Sequence, residues 1–302
     1  MGHIDGERAA RREQDSGGIV GDNAAGMAGT AGTAGGLAGG DGRGVLFPLR
    51  LPTFHRQPPP PEMEGLIRWF WIPQWSIAPG RVSRQNILPF PASNLVVEEQ
   101  GIGLSGPTTG ASHRDLTGSG WAVGALLRPA GIASIHPEPS SIRDMESVFE
   151  APALHRSVTS AMTSPGMDEE ERRNAALAAY LAWAEQNIAP PDEAGLVANS
   201  MEDLIATDRS IVRVEQIARH LDISVRAVQR LAHRYVGLPP LVIIRRYRLQ
   251  EAAQRLREDP SLPITRVAAD LGYSDHAHLS ADFRRVLGFT PRSYRSDPGS
   301  LP

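Results

Sequence analysis

"VEQIARHLDISVRAVQRLAHRYVGLPP" at 214–240 and "ITRVAADLGYSDHAHLSADFRRVLGFTP" at 264–291 are two versions of one pattern. Ala218 corresponds to Ala268 at a separation of 50, and Gly237 and Pro240 to Gly288 and Pro291 at 51, so the second copy has one extra residue between its helices. In each copy a small alanine lies midway along a first helix, where a second helix must cross closely. Apolar residues surround it: Ile217, Leu221, Ile223, Val228 and Leu231 in one copy, Val267, Leu271, Tyr273, Leu279 and Phe283 in the other. The turns contain Asp222 and Gly272, and glycine takes left-handed backbone more easily than aspartate. Ser224, and Ser274 or Asp275, stand where N-caps belong. Between the copies, "PPLVIIRRYRLQEAAQRLRED" at 239–259 is long enough for one rigid connecting helix. The pattern predicts a tandem pair of helix-turn-helix units.

Within the second copy, "GYSDHAHLS" at 272–280 places two histidines one residue apart. On a helix His276 and His278 face different sides and cannot easily share an ion; on a strand they would point the same way. The helical reading puts them at the start of a recognition helix, as candidates for base or phosphate contact and not for metal.

The charge distribution agrees with that reading. Residues 1–208 hold 15 Arg and 25 Asp plus Glu, whereas residues 209–302 hold 16 Arg and 9 acids, so a net charge of −3 divides into −10 and +7. A basic module at the carboxyl end is where a polyanion would bind. Lysine is absent. The 302 residues suggest two domains at roughly 100–200 residues each. No cysteine is present, which excludes disulfides, thiolate zinc sites and thiol nucleophiles and fits a reducing cytoplasm. "MGHIDGERAARREQDSGG" lacks the apolar core of a secretion signal, and no apolar run reaches the ~20 residues that span a bilayer. A soluble, cytoplasmic chain with no membrane partner is the expectation.

Upstream, 18 of the 28 positions in 17–44 are Gly or Ala, so 1–44 reads as a disordered tail. After the proline run at Pro58 to Pro61, a β-rich domain is expected over 57–150, from "IRWFWIP", "QNILPF", "SNLVVEE" and "GWAVGALLRP". "GIGLSG" at 101–106 satisfies G-x-G-x-x-G, but "PTTG" follows instead of a helix, so it reads as a hairpin loop and not a nucleotide site. His113 and His136 stand alone, and His55 precedes the domain, which leaves no closely spaced histidine cluster for a metal or its chemistry. Trp69, Trp71, Trp75 and Trp121 are read first as core and second as the lining of an effector pocket. Residues 151–199 form a helical linker in which "DEEERR" opens a helix. The stripe Leu177, Tyr180, Leu181, Ala184 and Ile188 can pack on its own domain or on a second subunit. "APPDEAG" then serves as a linker to the tandem units at 200–297.

The last ninety residues resemble the AraC/XylS-type transcription regulators, above all in "GYSDHAHLSADFRRVLGFTPRSYR", and 57–150 looks like the cupin-like sensor domain of one branch of that family. The resemblance implies an α+β chain: an N-terminal β-rich cupin-like barrel followed by an all-α double helix-turn-helix. It implies a sequence-specific regulator, normally an activator, that binds double-stranded promoter DNA and contacts RNA polymerase. An unknown small-molecule effector and a homodimer are possible partners; no cofactor is implied. The alternative is a cupin-like enzyme carrying a DNA-binding appendage.

By the family pattern the first recognition helix, Val225 to about Tyr235, presents Arg226, Gln229 and Arg230. Arg pairs bidentately with guanine and Gln with adenine. The second departs from the pattern, with Ala277 and Ala281 where polar contacts are usual, leaving His276, His278 and Ser280 for bases. Ser224, Arg245, Arg246, Arg284, Arg285 and Arg292 are the phosphate candidates. A random-library binding selection is therefore expected to return more sequence information in the half-site of the first unit; equal information in both would contradict this assignment.

Overall fold

Burial along β2 (Ile67–Ser76) repeats every second residue only after a correction: the register slips between Ile67 and Trp69, so Ile67, Phe70 and Ile72 share one face. The structure, a computed structural model, describes residues 53–296; the proposed 1–44 tail lies outside them. The other strands are β1 (Thr53–Gln57), β3 (Ser83–Ile87), β4 (Asn94–Glu98), β5 (Gly101–Ser105), β6 (Ser112–Leu116), β7 (Ser119–Leu127) and β8 (Glu146–Val148). Six of them form an antiparallel sheet in the order β1-β2-β7-β4-β5-β8, and β3 and β6 form a separate ribbon. "GIGLSG" is strand β5 and not a hairpin loop: the turn lies before it at Glu99–Gln100, and Gly101–Ser105 pairs along β4. His55 lies within β1, so the β-rich domain includes residues before 57.

Both faces of this sheet are covered, which is why β7 is buried almost end to end instead of alternating. On one face Trp121, Val123, Ala125 and Leu127 of β7 join Leu95 and Val97 against α2 (Pro152–Met162) and α3 (Glu169–Asn187). Asp168 caps α3 in a reciprocal box with Glu171, so the acids of "DEEERR" serve the helix start. Its stripe packs on its own sheet: the Tyr180 hydroxyl, fully buried, donates to the Leu95 carbonyl at 2.8 Å, and its ring meets Phe70 edge-on. Of the four tryptophans, Trp121 is in this core. Trp69, Trp71 and Trp75 lie half-buried on the other face, where Trp71 donates to Asn94 Oδ1 at 3.0 Å.

That other face meets the helical domain. A short helix α1 (Pro129–Ile135) follows β7, and α4 (Glu193–Thr207) starts on the N-cap Asp192, so part of "APPDEAG" is helix and α4 crosses the 199/200 boundary. Leu126, Phe90 and Ala92 enter a core built by α4, α5 (Val214–His220), α6 (Val225–Leu231) and the start of α7 (Pro240–Glu258). Leu88 enters a second core, formed by the end of α7, α8 (Ile264–Asp270), α9 (His276–Leu287) and α10 (Pro291–Ser296). Between them the Pro89 carbonyl accepts from the buried Gln250 Nε2 at 2.8 Å. Polar contacts reinforce the seam. Glu202, 1% exposed, accepts from Arg68 at 3.2 Å and from the Tyr247 hydroxyl at 2.8 Å, while Asp203 accepts from both Arg68 and Arg128. Burial opposes the charge on Arg68, but Glu202, Tyr247 and Asp203 outweigh it and hold the guanidinium above its ordinary range.

Truncating this seam should destabilise the whole chain measurably. Leu88→Ala is expected to cost about 2–5 kcal/mol and Phe90→Ala about 3–5 kcal/mol in urea unfolding. A loss under about 0.5 kcal/mol, typical of surface positions, would show that neither side chain is in a packed core.

Candidate nucleic-acid interface

The first unit is assembled by local capping. Gln216 Oε1 accepts the backbone N–H of Val212 and Arg213, each at 2.9 Å, and so starts α5. The turn passes through Asp222 at φ 50°, and Ser224 Oγ accepts the Ala227 N–H at 3.1 Å to start α6. Val228 points into the core, 0% exposed, with Val225 and Leu231 half-buried beside it. Arg226, Gln229 and Arg230 all lie at the surface. A π-helical turn, Ala232–Val236, extends the reading helix until Gly237 ends it with φ 78°.

The second unit repeats the construction with different chemistry. Asp275, not Ser274, caps α9, its Oδ1 accepting the His278 N–H at 2.7 Å. That bond, with smaller contributions from the Ala277 N–H, Ser274 and His276, holds the Asp275 carboxyl below the usual carboxylate range. Leu279, Phe283 and Val286 fill the core, while His276, Ala277, His278 and Ala281 are exposed and Ser280 is half-buried. His278 is already engaged locally, its Nδ1 3.2 Å from Ser274 Oγ and its ring edge-on to Tyr273. Gly272 has φ 75°, and a Cβ there would lie 2.4 Å from Val212 Cγ1. The second turn therefore abuts the entry to α5, a space constraint that Asp222 does not face. Gly288 ends α9 at φ 84°, as Gly237 ends its counterpart.

The connecting helix α7 is tied to both units through a buried carboxylate. Glu251 pairs with Arg209 ahead of α5, with Arg248 at 3.5 Å and with Arg255 at 3.2 Å; Arg255 also holds Asp270 of α8 at 3.0 Å. Arg248 donates to the carbonyls of Ile205 and Asp208, both at 2.7 Å, satisfying the end of α4. Sequence periodicity did not single out Arg248 or Glu251, because α7 is buried around most of its circumference and has no clear polar face.

Five of the six phosphate candidates are at the surface: Ser224, Arg245, Arg284, Arg285 and Arg292. Ser224 uses its hydroxyl as a cap, and Arg285 is paired with Asp282. Arg246 is the exception. It is 4% exposed, its Nε has no partner among the described residues, and burial lowers its pKa from the ordinary value. It faces Asp282, which also accepts from the Tyr273 hydroxyl at 3.0 Å, so it belongs to an internal charge cluster and is not presented to phosphate. Burial and then the Asp282 charge push the Tyr273 phenol well up. Among the described residues no group of three or more His, Asp or Glu side chains is placed to hold a metal ion.

Comparison with known proteins divides the chain along the same lines. Residues 217–297 match the family model described as a helix-turn-helix domain, and residues 55–145 match a domain of unknown function, DUF6597. The HTH-type transcriptional activator RhaS of Escherichia fergusonii is 27% identical over 157 residues, which cover 52% of this chain and 49% of that one. The HTH-type transcriptional regulator VirS of Mycobacterium tuberculosis is 41% identical over 86 residues, 28% of this chain and 24% of its own. ToxT of Vibrio cholerae O395 is a solved structure with 11% identity and a TM-score of 0.42, over 82% of this chain and 99% of that one. The matched stretches span between 20% and 49% of the first curated relatives.

Arg245 and Arg246 are adjacent but differ in exposure, and DNA titrations at several salt concentrations separate them. Arg245→Ala should flatten the plot of log K against log salt by about 0.9, whereas Arg246→Met should leave the slope unchanged. A slope change on replacing Arg246 would return it to the phosphate contacts.

Proposed function

We propose that this chain, which belongs with the AraC/XylS-type transcription regulators through its carboxyl-terminal domain, acts as a sequence-specific regulator on double-stranded promoter DNA. The first unit selects bases and the second mainly positions the protein. One observation carries the reading: α6 presents Arg226, Gln229 and Arg230 outward on a helix whose other face is locked into the core. Those are the side chains that match guanine and adenine edges in the major groove. The 19 residues of α7 span roughly 28 Å at 1.5 Å per residue, which suits two readers entering successive major-groove turns ~34 Å apart. The second reader offers two alanines and two histidines where the first offers two arginines and a glutamine. Its surface arginines, Arg284, Arg285 and Arg292, then serve the backbone.

The remaining steps follow the family resemblance: a change in DNA affinity or arrangement, set by the β-rich domain, and contact with RNA polymerase, with activation as the output. Pairing of two copies fits the same scheme. No helix among the described residues is long and apolar enough to cross a membrane, in keeping with a chain that works on DNA in the cytoplasm. The curated relatives that the chain matches are transcription regulators, which favours this reading over the enzymatic alternative.

Single replacement of Arg226, Gln229 or Arg230 by alanine should cost about 1–3 kcal/mol of discrimination at one base position each. The measurement is competition binding against single-base variants of the selected site. A uniform loss across all variants would identify a backbone contact and overturn the base-reading role.

A further inference from the structure

Two segments of the β-rich domain reach onto the helical one: the link between β3 and β4, and the loop 106–111 between β5 and β6. Leu88 is buried in the core of the second unit and Phe90 in that of the first, with the Pro89 carbonyl held by Gln250 of α7. The Phe90 ring also meets Tyr247 of α7 edge-on at 5.7 Å. Thr108 fixes the backbone of Phe90 on both sides. Its Oγ1 accepts the Phe90 N–H at 2.9 Å, and its own N–H donates to the Phe90 carbonyl at 3.0 Å. Further along the same loop, the Ala111 N–H donates to the Val286 carbonyl in the last turn of α9 at 2.8 Å, where a helix end leaves carbonyls open. The loop is itself tied back, since Asp144 accepts the Thr109 N–H at 2.6 Å and its hydroxyl at 2.7 Å.

We propose that these two segments act as a splint across α7: they fix the separation and facing of the two readers, and so make DNA binding selective for one spacing of the half-sites. This role rests on the proposed reading of DNA by both units. Leu88 and Phe90 are buried and Thr108 acts through Phe90, so all three are positioning residues. Once the first unit is bound, engagement of the second is an intramolecular step, favoured when its geometry matches the site and lost when it does not. One inserted base pair moves the second half-site by roughly 3.4 Å along the duplex and turns it by about a tenth of a turn. Two units joined only at the ends of a helix could follow that change by swivelling at its junctions. Here a swivel must withdraw Leu88 or Phe90 from a core, or break the hydrogen bonds of Pro89, Phe90 and Val286. Close-packed interiors resist such gradual deformation, so the splinted pair accommodates one spacing and penalises its neighbours.

The test is fluorescence anisotropy of the full chain with its selected site, and with versions carrying one base pair inserted or removed between the half-sites. The wild type should lose about tenfold or more at each altered spacing, at least as much as for a mismatched base pair. Thr108→Val keeps the side-chain shape and removes the acceptor of the Phe90 N–H, and Leu88→Val trims a core contact more gently than alanine. Each should narrow the ratio between the matched and altered spacings by about threefold or more, the worth of a hydrogen bond. A merely structural loss lowers the active fraction and shifts all the sites by one factor, so it leaves that ratio where it was. Should Leu88→Val not fold, Thr108→Val at a half-buried loop position carries the test. A wild type indifferent to spacing, or variants that keep the wild-type ratio, would overturn the splint and leave base reading intact. A selection that returns no pair of half-sites would overturn both.

Discussion

Leu88 and Phe90 are two residues apart in the chain and enter two different hydrophobic cores, one in each half of the helical domain. The constraint on everything else begins there. A strand-like segment sends residues i and i+2 to the same side, so the "LPF" link between β3 and β4 lies across α7 like a bracket, with the Pro89 carbonyl held by Gln250. The β-rich domain and both reader units are therefore not three independent bodies joined by linkers. Any rearrangement of the readers about α7 must extract one of these side chains or drag the sheet with it. A signal in the β-rich domain would reach the readers through packing of this kind, since packed cores shift between discrete arrangements and do not deform continuously.

Charge is allocated by the same architecture. Sixteen arginines lie in the last 94 residues, but two buried carboxylates, Glu251 and Asp282, pair with Arg209, Arg248, Arg255 and Arg285, while a third, Glu202, holds Arg68 of the β-rich domain. Arg68, Arg248 and Arg255 bind the elements to one another, and Arg246 is drawn in beside Asp282. Such pairs are expensive to form and more expensive to break from one side, by about 3–5 kcal/mol. The basic surface available to a polyanion is consequently smaller than the composition suggests; it includes Arg226 and Arg230 on α6, Arg284 and Arg285 on α9, Arg292 on α10 and Arg245, with Arg213, Arg219, Arg234 and Arg266 also exposed.

Much of the helical domain was legible because its signals are local and repeated. The alanine at 218 and 268, the turn residues 222 and 272, the caps and the closing glycines 237 and 288 each satisfy a backbone requirement within a few residues, so the repeat can be read without tertiary contacts. The outward placement of Arg226, Gln229 and Arg230 is what the family resemblance implied, and their exposure on α6 agrees with it. The β-rich half was less readable. "GIGLSG" has the glycines of a loop, yet it is held as a strand by β4 on one side and β8 on the other. The slip after Ile67 reverses which residues of "IRWFWIP" face the core, and a bulge has no marker in a run that is aromatic on both faces.

By itself the sequence determined the duplicated two-helix pattern and the connecting helix, because those follow from periods and caps internal to each element; which side chains the readers could present came from the family resemblance. Only the tertiary structure decided that Arg246 is turned inward while Arg245 beside it is not, and that α4 belongs to both halves of the molecule. The physical reason is that burial and ion pairing are set by neighbours distant along the chain: Asp282 for Arg246, and Arg68 and Tyr247 for Glu202. No local window contains those partners.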